Sequence, residues 1–240
     1  MLVLALQFTP ADFEATEELV ALITDLEPKP RRDVELLLFY RKDVPELNVR
    51  RLANTALTRF PRTLITEAWD FAEGWPAGPN AMWASLMRQL FQMSRTFVIN
   101  ADGALTFEPD CIPVSANWIS ELSEAWDAAR RKQIEVIGHM HPNARNPTHI
   151  NGNAIFCVDF WKRHEEVTGC HAMMPWDTVH APLILKVGAD TPLILQHYRM
   201  DEFGLKDWKA LRRSGVSLFH GIKSGQGRVI ARQQLLGRKR

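Results

Sequence analysis

The segment Leu105–Trp118, LTFEPDCIPVSANW, combines three local signals. The apolar stretch Leu105–Phe107 is typical of a short buried strand. Two carboxylates, Glu108 and Asp110, follow it directly. Ser115 is a residue type that begins helices, and the apolar side chains after it recur at helical spacing. The segment therefore predicts a strand that ends in an acidic turn and leads into a helix.

The same alternation of strand and helix continues along the chain. Leu2–Phe8 and Val34–Tyr40 are apolar runs of the kind found in strands that are covered on both faces. Pro10–Leu26 and Asn48–Thr58 carry apolar residues at helical spacing. No linker divides the 240 residues into two units. The pattern predicts an α/β fold, in which one domain has a mostly parallel central sheet flanked by helices.

Composition excludes several protein classes. With 46% hydrophobic and 24% charged residues, the chain has the composition of a globular protein and not of a disordered or collagen-like one. Its apolar start ends at Gln7, which predicts a first strand and no membrane span. Three cysteines without a CxxC pair argue against a disulfide framework. They fit a cytoplasmic location, which for a phage-encoded protein is the host cytoplasm.

Charge is distributed unevenly along the chain, although the formal net charge is only +1. Residues 205–240 contain ten lysines and arginines and one acid, whereas the preceding residues contain 19 basic and 27 acidic side chains. A basic end on an acidic body suggests an anionic ligand or a polyanionic partner. A solvated basic tail is an equally good interpretation, and we assign residues 226–240 to such a tail.

Several familiar catalytic motifs are missing from the sequence. There is no GxxxxGK[ST], GxSxG or HExxH, which disfavours a P-loop enzyme, a common hydrolase and a zincin. Polar residues concentrate instead at predicted strand ends, where open α/β sheets bind ligands. There, Glu108 and Asp110 supply the oxygen ligands that Mg²⁺ and Mn²⁺ prefer. A metal so held could neutralise a diphosphate, and an ordinary solvated acidic turn is the alternative.

Three segments, in this order, resemble glycosyltransferases of the GT-A fold, which use nucleotide-sugar donors. EPD at Glu108–Asp110 is similar to their DxD motif, with Glu108 in place of the first Asp. HINGNAIF at His149–Phe156 resembles the acceptor-facing loop and strand that follow the DxD helix. FHGIKSG at Phe219–Gly225 resembles their C-terminal His-Gly-x-Lys element.

The resemblance implies a domain and a set of site residues. A GT-A-like domain would span residues 1–225 and bind Mn²⁺ or Mg²⁺ through Asp110 and His220. Lys223 would contact the donor diphosphate, and Glu108 would assist at the same place. A hydroxyl acceptor would face a loop that contains His149, Asn151, Gly152 and Asn153.

Two further residues complete the predicted site. Asn80, in the GPN segment, lies where such enzymes contact the nucleotide or sugar, although a helix cap explains it equally well. Asp177, in PWDTVH, lies near the position at which inverting GT-A enzymes carry a catalytic acid. That resemblance makes it the candidate base for the acceptor hydroxyl, with an N-cap aspartate as the alternative. Trp75 and Trp176 lie in nearby loops and could stack on a sugar ring or a base.

These observations predict a metal-dependent glycosyltransferase that moves a sugar from a nucleotide-diphosphate donor to a hydroxyl. The basic end makes a modified base in phage DNA one candidate acceptor. Two other functions fit the same residues. One is a nucleic-acid-binding protein without catalysis, and the other is a nucleotidyltransferase-like enzyme that uses the acidic pair to hold its metal.

Overall fold

The computed structural model describes residues 1–141, 148–165 and 173–237, of which residues 141, 198 and 199 are described by their backbone alone. Strands and helices alternate along most of the chain. The strands are β1 (Leu2–Phe8), β2 (Val34–Tyr40), β3 (Thr63–Glu67), β4 (Gly103–Phe107), β5 (Cys111–Pro113), β6 (Val136–His141), β7 (His149–Cys157), β8 (Gly188–Asp190), β9 (Ile194–Met200) and β10 (Leu218–Ile222). The helices are α1 (Phe13–Leu26), α2 (Glu46–Leu57), α3 (Ala77–Arg95), α4 (Trp118–Arg131), α5 (Phe160–Arg163), α6 (Trp176–Val179), α7 (Ala181–Val187), α8 (Leu205–Ser214) and α9 (Gly225–Leu236).

A seven-stranded sheet with the order β3-β2-β1-β4-β7-β6-β8 forms the centre of the molecule. Its neighbours pair in parallel except at β7, which is antiparallel to both β4 and β6. All but one residue of β1 and of β2 are buried, as their continuous apolar sequences require. The predicted α/β fold with a mostly parallel central sheet is therefore confirmed.

The order of the strands creates a switch point between β1 and β4. From β1 the chain builds outward through β2 to β3, and β4 then pairs with the other side of β1. Leu6 lies opposite Phe107 in the parallel register, so the carboxyl ends of both strands open at one edge. Ligands of open α/β sheets bind in the crevice at such a point. The acidic turn after Phe107 is thus placed beside the expected binding crevice.

A second, smaller sheet brings the far end of the chain to the acidic turn. Its order is β5-β10-β9, with β10 antiparallel to β5 and parallel to β9. His220 lies opposite Cys111 in this register. The backbone N–H groups of Gly221 and Ile222 donate to the carbonyl oxygen of Asp110 at 3.3 and 3.1 Å. The pairing therefore fixes the position of β10 relative to the turn.

The C-terminal helix packs against the first helix of the chain. Within α9, which covers most of the segment that the sequence suggested to be a basic tail, Ile230 and Ala231 are buried. Arg228 forms an ion pair with Glu18 on α1, and Arg232 forms one with Asp25. Part of the basic excess of residues 205–240 therefore compensates acids within the fold.

One predicted loop proves to be a strand. His149–Asn153 belongs to β7, which pairs with β6 on one side and with β4 on the other. The strand accommodates the buried side chain of Asn153 because its Oδ1 atom accepts hydrogen bonds from the N–H of Glu108 and the thiol of Cys111. Among the described residues, no helix is both long and apolar enough to cross a membrane.

Candidate functional site

A cavity of about 730 Å³ opens at the switch point of the large sheet. The carboxyl ends of β1 and β2 contribute Phe8 and Arg41 to its wall, and the turn after β4 contributes Glu108 and Asp110. His220 on β10 lies on the same wall. A cavity of this size, at this place in an α/β sheet, is suited to a small molecule such as a nucleotide.

Glu108, Asp110 and His220 form a compact cluster within the cavity. The Nε2 atom of His220 lies 3.1 Å from a carboxylate oxygen of Glu108 and 3.1 Å from Oδ1 of Asp110. The ammonium group of Lys223 pairs with the other carboxylate oxygen of Asp110. Asp110 and His220 are buried, whereas Glu108 is half-buried. The cluster thus joins residues from two distant parts of the sequence.

The charges of the cluster stabilise one another. Burial alone would raise the pKa of Asp110, but hydrogen bonding and charge from His220 and then Lys223 lower it to about 2. Burial alone would lower the pKa of His220, but Asp110 and Glu108 raise it to about 9. The pKa of Lys223 is also raised, because Asp110 outweighs the effect of burial. At neutral pH, an imidazolium therefore bridges two carboxylates.

The same three side chains fit a divalent cation. One potential ligand atom from each residue lies within 4.8 Å of the other two. The buried Oδ1 atom of Asp110 faces the ring of His220 at 3.1 Å and has no other partner among the described residues, so it is available to a cation once the ring loses its proton. Two carboxylates and one imidazole are a common ligand set for such ions. A cation would take the place of the proton that the ring of His220 now carries.

The side chain of Asn153 binds the acidic turn through hydrogen bonds on both sides of Asp110. Its Oδ1 atom accepts a hydrogen bond from the backbone N–H of Glu108 at 3.0 Å and one from the thiol of Cys111 at 3.1 Å. Gln196 on β9 donates to the carbonyl oxygen of Asn153 at 3.2 Å. Because these bonds flank Asp110 on both sides, Asn153 fixes the backbone that carries two of the three potential ligands.

Asp177, in α6, also lines the cavity. Its Oδ1 atom accepts a hydrogen bond from the N–H of Thr178 at 2.8 Å, and its Oδ2 atom lies 3.7 Å from Nε2 of His149. Burial raises the pKa of Asp177 and outweighs the opposing effect of His149, while the charge of Glu108 raises it further. A half-buried carboxylate with a raised pKa, reachable from the cavity, is suited to accept a proton from a substrate.

Most of the predicted site residues line the one cavity: Asn80, Glu108, Asp110, Asn151, Gly152, Asp177, His220 and Lys223. Asn153 does not, because it is fully buried and directed at the acidic turn. His149 is also buried and contacts the cavity wall through Asp177. The prediction that His149 and Asn153 face an acceptor from an open loop therefore differs from the structure, in which β7 buries both.

The two tryptophans near the cavity have different environments. Trp176 is buried and stacks on Trp83, with ring centroids 4.1 Å apart and an interplanar angle of 9°. One face of its ring is thus occupied by the protein itself. Trp75 lines the cavity with 72% of its surface exposed and remains able to stack on a ligand.

Sequence reasoning missed several residues of the cavity wall. Arg228 is buried there and donates to Glu18 and to the carbonyl oxygen of Pro109. It belongs to residues 226–240, which the sequence indicates to be a basic tail. Its position one helical turn after Gly225 was the available signal, since a helix that follows the His-Gly-x-Lys segment starts at the cavity. Arg41 carries no motif and is recognisable only because it follows the end of β2.

Comparisons with known proteins identify the fold. No protein-family model matches the chain, and no curated protein sequence matches it. Among solved structures, LgtC matches with a TM-score of 0.60 at 8% identity, over 99% of this chain and 96% of that one. The bifunctional glycosyltransferase WbbM matches with a TM-score of 0.57 at 12% identity, over 91% of this chain and 45% of the WbbM chain.

A third similar structure is the mannosyltransferase PcManGT from Pyrobaculum calidifontis, with a TM-score of 0.53 at 13% identity, over 79% of this chain and 53% of that one. This chain thus spans about half the length of the WbbM and PcManGT chains. At these identities the likeness concerns the fold, and it agrees with the strand order described above. The chain has a GT-A-type fold.

The cluster predicts that Mn²⁺ binding releases a proton. Because the pKa of His220 is raised to about 9, its ring is protonated at pH 7.5 and must become neutral to bind a cation. Calorimetric titrations with Mn²⁺ in buffers of different ionisation enthalpy should report about one proton released per ion, a value that declines above pH 9. His220→Gln should abolish the release. His164→Gln, which removes a histidine paired with Glu135 outside the cavity, should not. Binding without proton release would exclude His220 as a ligand.

Removal of the Asn153 side chain is predicted to weaken metal binding. Asn153→Ala frees the N–H of Glu108 and loosens the turn, so the dissociation constant for Mn²⁺ should rise by about 10- to 100-fold. Titration calorimetry measures this change. Asn151→Ala is the matched control, because it alters an asparagine of the same strand that lines the cavity and has no described bond to the turn. Equal metal affinity in the wild type and Asn153→Ala would contradict the assignment.

Proposed function

We propose that the protein is a metal-dependent glycosyltransferase that transfers a sugar from a nucleotide-diphosphate donor to a hydroxyl acceptor. The observation that carries the proposal is the cluster of Glu108, Asp110, His220 and Lys223 at the switch point of a GT-A-type fold. Two similar proteins support it by their descriptions. PcManGT is described in complex with GDP-Man and Mn²⁺, and the galactosyltransferase LgtC with donor and acceptor sugar analogues.

The donor diphosphate would lie beside the cluster. Asp110 and His220, with Glu108, would hold Mn²⁺ or Mg²⁺, and the ion would supply positive charge for the departing diphosphate. Lys223 is half-exposed at the cavity wall and can turn from Asp110 to a phosphate oxygen, where its ammonium group adds charge. Arg228 is buried at the same wall, where it pairs with Glu18 and donates to the carbonyl oxygen of Pro109, the residue between Glu108 and Asp110.

The nucleoside of the donor would occupy the part of the cavity over the ends of β1 and β2. Thr9 and Asp12 follow β1 and line this part, with the Thr9 hydroxyl donating to Asp12 at 2.7 Å. Arg41 follows β2, and the exposed ring of Trp75 lies on the same cavity wall. These groups offer hydrogen bonds and an aromatic face, which are the contacts that a base and a ribose need.

The acceptor would enter from the side of Asp177. A carboxylate with a raised pKa can take the proton of an acceptor hydroxyl as the hydroxyl attacks the anomeric carbon. Asn151 and Gly152 line the adjacent wall, so the acceptor would contact β7 through the exposed part of this strand.

DNA is a weaker candidate for the acceptor than a saccharide or another small hydroxyl compound. The basic excess of residues 205–240 suggested DNA, but Lys223, Arg228 and Arg232 pair with Asp110, Glu18 and Asp25. Arg212 also donates to a carbonyl oxygen of the fold, at Val114. The charge that remains outside these contacts is smaller than the sequence indicates, and this equally weakens a nucleic-acid-binding role without catalysis.

The donor is identified by a thermal-shift panel of nucleotide sugars with and without Mn²⁺. One nucleotide sugar should raise the melting temperature in the presence of Mn²⁺ only, because a ligand at 100 times its dissociation constant adds about 2.7 kcal/mol of stability. Turnover should release a nucleoside diphosphate, whereas release of pyrophosphate would indicate a nucleotidyltransferase. Asp110→Ala and a chelator should each abolish turnover. Asp127→Ala, on the exposed face of α4, should have no effect.

The role of Asp177 is tested by Asp177→Asn, which keeps the shape of the side chain but removes the base. We expect kcat to fall by about 10²- to 10⁴-fold with unchanged affinity for Mn²⁺ and donor. In the wild type, kcat should fall as the pH is lowered through the pKa of Asp177, which lies above its ordinary value of 3.8. Asp207→Asn is the matched control, since Asp207 also accepts a backbone N–H in the first turn of a helix. Full activity of Asp177→Asn would show that Asp177 is not the base and that its carboxylate only accepts the backbone N–H of Thr178 at the start of α6.

A further inference from the structure

Asn80 lies between the cavity and the segment that precedes Asp177. It is in the first turn of α3, and only 1% of its surface is exposed. Its Nδ2 atom donates to the carbonyl oxygen of Met174 at 2.9 Å. Its Oδ1 atom accepts a hydrogen bond from the N–H of Trp176 at 2.9 Å. Both ends of the amide are thus used to hold the backbone of residues 174–176.

A second residue of the same helix holds the same segment. Trp83, one turn after Asn80, stacks on the ring of Trp176 at 4.1 Å, and both rings are buried. Residues three apart on a helix share a face. From this face of α3, Asn80 binds the backbone of Trp176 and Trp83 packs against its ring. Because Asp177 is the next residue, its position depends on the helix α3.

Among the residues that the structure describes, the carboxylate of Asp177 has two further polar neighbours, Thr178 and His149. Its Oδ1 atom accepts the N–H of Thr178, the residue that follows it, so this bond moves with the segment. His149 is 3.7 Å away, beyond hydrogen-bond distance. The contacts of Asn80 and Trp83 with Trp176 therefore connect the short helix α6 to α3, and the ring of Trp176 also packs against Phe156 of β7.

We propose that Asn80 is a positioning residue for Asp177. It sets the place of the carboxylate through the backbone of Met174 and Trp176, and it is not a ligand of the nucleotide or sugar. This assignment rests on the proposed role of Asp177 as the base. It replaces the interpretation of Asn80 as a donor-binding residue, because the amide groups that would bind a donor are engaged by the protein.

The consequence is a specific kinetic pattern. Asn80→Ala should lower kcat by about 10²-fold, since a displacement of about 1 Å in a catalytic group has an effect of this size. The KM for the donor and the dissociation constant for Mn²⁺ should change less than twofold. Asn80→Ser keeps a hydroxyl that is too short to reach both partners, and it should behave like Asn80→Ala with a smaller loss of stability.

A double-mutant cycle separates positioning from a general structural role. If Asn80 acts through Asp177, the double variant Asn80→Ala with Asp177→Asn should have the same kcat as Asp177→Asn alone. A merely structural effect would lower kcat further, by the same factor as in the wild-type background, and would overturn the proposal. A rise in the donor KM at unchanged kcat would also overturn it, because it would make Asn80 a donor ligand.

Hydrogen–deuterium exchange tests the hydrogen bonds between Asn80 and residues 174–176, here called the Asn80 clamp, without reference to activity. The peptide that contains residues 174–180 should exchange faster in Asn80→Ala, because the N–H of Trp176 loses its acceptor. Unchanged exchange in this peptide would overturn the proposal. If the exchange rises while Asp177→Asn keeps full activity, then the proposed base is wrong although the clamp exists. The two failures are thus distinguishable.

Gln89→Ala is the matched control. Gln89 is a buried amide on the same helix, and both of its ends are also engaged: it donates to the carbonyl oxygen of Glu67 at 2.8 Å and accepts the hydroxyl of Thr66 at 2.6 Å. It is not part of the cavity wall. Gln89→Ala should lower the melting temperature and leave kcat and the exchange of residues 174–180 unchanged. A loss of kcat equal to that of Asn80→Ala would overturn the specific role of Asn80.

Discussion

The antiparallel pairing of β10 with β5 is the constraint on which the candidate site depends. It places His220 opposite Cys111 and therefore beside Asp110. The imidazole also contacts Glu108, which lies 112 residues earlier in the chain. Neither Asp110 nor His220 could be buried alone, because an unpaired buried charge is costly. Removing one partner of a buried ion pair costs about 3–5 kcal/mol. The charges of the cluster therefore require the strand pairing, and the strand pairing brings together the ligand atoms that a divalent cation needs.

The two sides of the cavity are built in similar ways from different parts of the chain. On the side of the cluster, the buried amide of Asn153 on β7 holds the turn that carries Glu108 and Asp110. On the other side, the buried amide of Asn80 on α3 holds the segment that leads to Asp177. In both cases a side chain on a regular element fixes an irregular segment through its backbone. Such support fixes the position of a cavity-lining segment and leaves its carboxylates available to a ligand.

Sequence reasoning predicted the architecture because the strongest signals are local. The apolar runs of β1 and β2 and the helical spacing in α1 follow from burial on one or both faces, and the structure contains them at the expected positions. The acidic turn and the His-Gly-x-Lys segment are also visible in one sequence, since their residue types indicate metal and phosphate chemistry. Their spatial contact is not visible, because it depends on strand pairing between distant segments, and only the resemblance to a known fold suggested it.

The sequence interpretation and the contacts in the structure differ at three polar residues, Asn153, Asn80 and Arg228, for a common physical reason. Asparagines in HINGN and GPN are polar, and polar residues near a site suggest contact with a ligand. The structure instead uses Asn153 and Asn80 to satisfy backbone groups in the interior, where each unpaired donor or acceptor would be costly. Arg228 shows the reverse difference, since a basic residue assigned to a solvated tail is buried in the cavity wall. Burial decides between these roles, and burial depends on how helices and strands from distant segments pack. A polar residue near a site can bind a ligand only through hydrogen-bonding groups that the fold leaves available, and the fold already uses the Oδ1 atom of Asn153 and both ends of the Asn80 amide.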